Sequence, residues 1–219
     1  RDAVIAGRDA NVTIGQRIVK FITSSAAERR AQRNRRAMLE LVRNTWIRGV
    51  LEQSLHGAAM IQLGMEERAE AVEHSWDVVL QTTGSLHREL PPGTTLVDVL
   101  DGMNGALLIL GEPGSGKTTM LLELARDAIV RAEDDPLQPI PVVFNLSSWA
   151  EKRQPVDEWL IGELNAKYHI PTRIARPWVE NDDLLLLLDG LDEVKAEHRN
   201  ACIEAINGFR REHGVAPIV

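Results

Sequence analysis

The chain has 219 residues, 44% hydrophobic and 26% charged, which is the balance of a soluble globular domain with an appendage. A net charge of -7 argues against a general binder of nucleic acid, and the single cysteine, Cys202, excludes an intramolecular disulfide and a cysteine zinc site. No apolar stretch approaches the roughly 18 residues of a membrane span, and a reducing, cytoplasmic setting fits the low cysteine content.

Val4 to Ile14 holds two short β-rich runs around Gly7 to Asn11, a hairpin or a pair of extended strands. Ser24 or Ser25 is placed to cap a helix that runs to about His56. Met38, Leu41, Val42, Thr45, Trp46, Val50, Leu51 and Leu55 recur in it at helical spacing. Its early part carries Arg29, Arg30, Arg33, Arg35 and Arg36. No aromatic residues interleave with them, so a solvated face or an oligomer contact is the better reading than a nucleic-acid surface. Glycines and prolines interrupt residues 57 to 95, where short strands or a small helix are expected near Ile61 to Met65 and Trp76 to Gln81.

From Leu96 the pattern becomes regular. A helix (96–103) precedes a strand (106–110), a glycine-rich loop and a helix (118–132). Then come a strand (141–146), helices near 155–168 and 172–180, a strand (184–189), a helix near 196–213 and an incipient strand (216–219). Strands alternating with helices predict an α/β fold, a parallel sheet with helices on both faces, after a mainly helical N-terminal segment. Residues 1–23 are expected to be a β-rich linker, 24–92 a helical flank and 93–219 the core domain. The chain starts with Arg1 rather than Met and stops in Pro217-Ile218-Val219, so we expect a piece of a longer polypeptide.

The loop reads Gly111-Glu112-Pro113-Gly114-Ser115-Gly116-Lys117-Thr118-Thr119, which fits the phosphate-binding pattern G-x-x-x-x-G-K-[ST]. Its glycines let successive backbone N–H groups face one hollow, and the helix that follows adds unpaired donors and partial positive charge. Lys117 is suited to the β- and γ-phosphates and the Thr118 hydroxyl to Mg²⁺. About 70 residues on, Leu184 to Leu188 forms a pure apolar run that ends in Asp189-Gly190-Leu191-Asp192-Glu193. An apolar strand ending in Asp places a carboxylate at the nucleotide. This strand is expected beside the 106–110 strand, with Asp189 sharing Mg²⁺ with Thr118 and with Asp192 or Glu193 orienting or deprotonating the attacking water. Trp149 reads as a packing residue, while Asn145 and Ser148 could approach the γ-phosphate side. The six histidines show no ligand spacing, and Leu90-Pro91-Pro92-Gly93 is either a linker turn or the wall of a base pocket.

The displaced acids of Asp189-Gly190-Leu191-Asp192-Glu193 resemble the NACHT family of STAND NTPases, a signalling class that includes animal innate-immune receptors and their bacterial relatives. Ala106 to Gly111, Pro141 to Ala150 and Ala216 to Val219 match as well, so the resemblance spans about residues 91 to 219. Trp46 to Leu55 looks like the helix that precedes the core in bacterial members. The resemblance implies that the last strand, 216–219, inserts between the two motif strands. It implies binding of ATP or, less often, GTP with Mg²⁺, slow hydrolysis, a closed ADP state, and an ATP state that self-associates to bring effector domains together. Gly111 to Thr119 would then hold phosphate, Thr118 and Asp189 the metal, and Asp192 or Glu193 the water. The family's sensor arginine, winged helix, and sensor and effector domains would lie in other parts of the same polypeptide. Two other readings remain open at this point: a motor-type ATPase acting on nucleic acid or protein, and a scaffold that binds nucleotide only for structure.

Overall fold

A computed structural model describes residues 25–54, 79–80, 88–89, 95–112, 114–214 and 216–219. The hairpin or extended strands expected over Val4 to Ile14, the short strand or small helix near Ile61 to Met65, and Leu90 to Gly93 lie outside the described residues. The chain divides into two compact units, Arg1–Met38 and Leu39–Val219.

In the first unit a helix opens at Ser25. The Ser25 hydroxyl accepts from the Glu28 N–H at 3.1 Å, and the Glu28 carboxylate accepts from the Ser25 N–H at 2.8 Å, a reciprocal cap that satisfies two end donors. This helix, α1, runs Ala26–Val42, with Arg30, Arg33 and Arg36 exposed along it. Helical spacing predicts one α-helix to about His56. Instead, in the second unit, the chain continues as a π-helix, Arg43–Leu51, and only then regains α geometry. The wider register turns Val42, Ile47 and Leu51 inward and leaves Thr45, which the α pattern places on the buried face, exposed.

In the second unit, β1 (Val79–Leu80) pairs antiparallel with β2 (Arg88–Glu89), inside the region where short strands were expected. α2 (Leu96–Gly102) starts with a Thr95–Asp98 capping box, which holds the Asp98 carboxyl below its usual range. Arg131 of α3 (Lys117–Asp134) pairs with Asp98 and Asp101 at 2.6 Å each and ties α2 to α3. α3 packs on β3 (Ile140–Asn145) and β4 (Leu184–Asp189), with Leu121, Leu122, Leu124 and Ala125 buried along it.

β3 and β4 are parallel and in register from Ile140–Leu184 to Asn145–Asp189. Their residues are buried almost throughout, which explains why both read as continuous apolar runs rather than alternating ones. The crossover between them holds α4 (Leu146–Lys152), α5 (Val156–Ala166) and α6 (Thr172–Glu180), and α7 (Ala196–Glu212) follows β4. α4 was not anticipated. Asn145 caps it, its side-chain oxygen accepting from the Ser147 N–H at 2.9 Å and from the Ser147 hydroxyl.

Two expectations about the sheet need correction. The 184–189 strand does not pair directly with the 106–110 segment. Ile218 bridges Leu186 on one side and Ala106 on the other, both in parallel, so residues 217–219 lie between them, the order the resemblance implies. The 106–110 strand is also reduced to one bridge at Ala106, because the interposed residues bond only Gly105 and Leu107 of this segment. Leu108 and Leu110 are 68% and 75% exposed.

Candidate functional site

The glycine-rich loop is shaped by close approach. A Cβ on Gly111 would come within 2.3 Å of the Ser115 hydroxyl, so the loop closes over a residue without a side chain. The Ser115 N–H bonds the Glu112 carbonyl at 3.1 Å and makes the turn; Pro113 lies outside the described residues. Gly116, at φ 85°, caps α3 in a left-handed conformation and brings no side-chain cap of its own. Lys117, Thr118 and Thr119 therefore open an 18-residue helix whose first N–H groups lack intrahelical partners. Such an end attracts anions.

Lys117 folds back over the loop. Its Nζ donates to the carbonyls of Gly111 and Glu112, each at 3.1 Å, and pairs with Asp192 at 3.2 Å. Thr118 Oγ1 lies 3.1 Å from both carboxylate oxygens of Asp189. The structure thus brings the two distant motifs together at the ends of β4 and α3. Parallel register sets Asp189 beside Asn145 where both strands end.

The acidic turn separates its two downstream acids. Gly190 follows Asp189 at φ 81°, and its N–H donates to Asp189 Oδ1 at 2.9 Å. A Cβ there would lie 3.1 Å from Glu193 Oε2 and 3.4 Å from Asn145 Nδ2. A side chain directly after Asp189 is thereby disfavoured, chiefly by the left-handed backbone. The Glu193 carboxylate lies over Gly190 near the Asn145 amide, whereas Asp192 reaches Lys117. The hydrogen bond from Lys117, first among the causes, holds the Asp192 carboxyl below its usual range.

Trp149 is buried, and its indole N–H donates to the Gln154 carbonyl at 2.9 Å, a packing role. Ser148 is committed to structure: its hydroxyl donates to the Asn145 carbonyl at 2.9 Å and accepts from Trp159 Nε1 at 3.0 Å. His213 pairs with Asp182 at 2.7 Å and stacks on Phe209, away from the loop. Arg199 was missed. Its Nη2 donates to the carbonyls of Asp192 and Val194 at 3.0 and 3.2 Å. The available signal was a cation in the first turn of α7, where the helix dipole disfavours one.

A cavity of about 510 Å³ is lined by Leu108, Leu110 and Ile203 together with Lys117, Asp189 and Arg199. Its size suits a small ligand. Among the described residues no three His, Cys, Asp or Glu side chains gather as a metal site. The Thr118 hydroxyl and Asp189 carboxylate are instead two hard oxygen donors, which fits Mg²⁺ completed by phosphate oxygens and water. No helix among the described residues is long and apolar enough to cross a membrane.

The family model for the NACHT domain matches residues 106–212, from the Ala106 bridge to the last residue of α7. No curated protein and no solved structure matches the chain.

Proposed function

Residues 106–212 are a NACHT domain, a P-loop nucleotide-binding module, and from that premise we propose that the protein is an ATP/ADP-dependent signalling switch. The observation that carries the reading is the meeting of Lys117, Thr118, Asp189 and Asp192 at the uncapped start of α3. Gly111 to Thr119 wrap the phosphates, with Lys117 on the β- and γ-oxygens. Thr118 and Asp189 hold Mg²⁺, which neutralises charge on the phosphates when bound. Glu193, free of Lys117, orients the attacking water and takes its proton. Water oxygen bonds to the γ-phosphorus, the bond to the bridging oxygen breaks, and ADP and inorganic phosphate leave.

In this reading the ADP form rests, and the ATP form self-associates and gathers effector domains of the same polypeptide, in defence or conflict signalling within the cytoplasm. Hydrolysis is slow, and GTP is the lesser substrate. Calorimetry with ADP and with ATP·Mg²⁺ tests the first step. Lys117→Ala removes a charged donor to phosphate and lowers affinity about 10- to 100-fold. Affinity unchanged in that variant overturns the phosphate assignment. Light scattering with ADP and then ATP tests the second step, and an identical mass in both would remove the switch.

A further inference from the structure

Arg199 belongs to neither motif, yet it is tied to the turn that follows β4. It lies in the first turn of α7, and its Nη2 spans the carbonyls of Asp192 and Val194. Its Nε is buried without a hydrogen-bond partner. Two costs are therefore accepted at one residue. A cation faces the positive end of a helix, and a buried donor goes unsatisfied. Something in the turn must offset them.

The turn carries Asp192, whose side chain is 54% exposed where it meets Lys117. An exposed ion pair contributes little on its own, because ordering two side chains consumes most of the attraction. Bonds to the backbone on both sides of Glu193 remove part of that freedom in advance. Val194, the second anchor, is buried, so one Arg199 nitrogen links a fixed point to a free one.

We infer that Arg199 is a positioning residue: by holding the carbonyls of Asp192 and Val194 it keeps the Asp192 carboxylate on the Lys117 ammonium, so that Asp192 and a polyphosphate compete for the same cation. Arg199 thereby sets how readily the loop admits nucleotide. The competition rests on the nucleotide-binding reading above, whereas the hold on Asp192 does not, and two measurements separate them.

The first uses no nucleotide. NMR of the lysine ammonium groups follows the Lys117 signal, assigned by its loss in Lys117→Met. The signal moves in Asp192→Asn and moves likewise in Arg199→Gln. Arg199→Lys keeps the charge but is shorter and lacks the guanidinium Nη2 that bonds both carbonyls, so it shifts the signal part of the way and guards against a misfolded Arg199→Gln. A Lys117 signal that stays in place in folded Arg199→Gln, or in Arg199→Lys, overturns the inference.

The second measures ADP affinity without Mg²⁺. Arg199→Gln tightens binding about threefold, the scale of an exposed ion pair, and adds nothing further in the Asp192→Asn background. Weaker binding in Arg199→Gln indicates a merely structural residue and overturns the inference. If the ammonium signal behaves as expected while the wild-type protein binds no ADP, the nucleotide reading fails and the positioning role stands.

Discussion

β3 and the segment from Ala106 to Leu110 are both apolar runs that lead toward the candidate site, and the protein treats them in opposite ways. β3 pairs with β4 through all its residues and is buried along its length except at Asn145. The Ala106 segment makes one bridge and leaves Leu108 and Leu110 largely in solvent. The phosphate loop thus hangs from the less supported of the two. Its shape comes from local devices instead: Gly116 at the helix start, Ser115 packed on Gly111, and Lys117 bonded to two loop carbonyls. Burial is thus concentrated on the β3–β4 side, and the candidate loop lies at its boundary, the kind of place from which binding loops are drawn.

The largest expected effect breaks the supported side. Phe144 is 1% exposed and meets the rings of Trp159 and Tyr168, with centroids 5.6 and 6.4 Å away. Phe144→Ala removes these contacts and leaves a cavity, which costs about 3–5 kcal/mol. Urea unfolding measures it, and a loss under about 1 kcal/mol would contradict the packing described for β3.

Tyr168→Phe sharpens the comparison by deleting one atom. The hydroxyl donates to the Val143 carbonyl at 2.5 Å and accepts from Trp46 Nε1 at 2.8 Å, joining β3 to the π-helix. Burial, the first cause, moves the phenol's titration above its usual range, so it stays neutral in ordinary buffers. Its loss leaves the Trp46 donor without that acceptor and costs about 1–3 kcal/mol. Nucleotide affinity stays within about twofold, the scale of an indirect effect. A larger fall in affinity would mean that the π-helix reaches the loop.

These elements differ in how far the sequence disclosed them. α3, α5, α6, α7, β3 and β4 were legible because periodicity and apolar runs report burial directly. α4 is not evident from sequence although Asn145-Leu146-Ser147-Ser148 carries a capping signal, because the apolar β3 pattern runs straight into it. The π-helix has no signature distinct from an α pattern until the i to i+5 spacing of Val42 and Ile47 is seen in place. Ala106 to Leu110 reads as a strand, but a strand needs a neighbour, and neighbours are not written in an apolar run. Within the candidate site, motif spacing singles out Lys117, Thr118 and Asp189, and the structure places Thr118 against Asp189. The division between Asp192 and Glu193 was not legible. It is visible only in place, where the turn through left-handed Gly190 has one carboxylate on Lys117 and the other over Gly190.

Gly190→Ala is expected to act next in size. A Cβ at φ 81° costs about 1–2 kcal/mol in backbone strain, and it crowds the Glu193 carboxylate at 3.1 Å. Turnover should fall further than ADP affinity, because Glu193 moves while Gly111 to Thr119 stay in place. Equal loss of both in steady-state and binding assays would place Glu193 outside the water site.

A pH titration probes the exposed Lys117–Asp192 pair without altering the chain. Because Lys117 lowers the Asp192 pKa, the pair is complete above the ordinary carboxylate range near about 4 and is lost as pH falls through the depressed value. The Lys117 ammonium signal should therefore hold steady down to about pH 4 and change only below it. A change at higher pH would identify a different group as the partner.

The smallest effect tests the unsupported side. Leu110→Ser replaces a side chain already 75% exposed, so stability should change by no more than about 0.5 kcal/mol in urea. The same substitution scale at a buried leucine of β4 costs several times more. The contrast is informative in both directions. If Leu110→Ser costs more than about 1 kcal/mol, this edge is covered in solution, and the loop rests on more support than Gly116, Ser115 and Lys117 provide. If the cost is near zero while ADP still binds, those three local devices are sufficient to hold the phosphate loop in a binding shape.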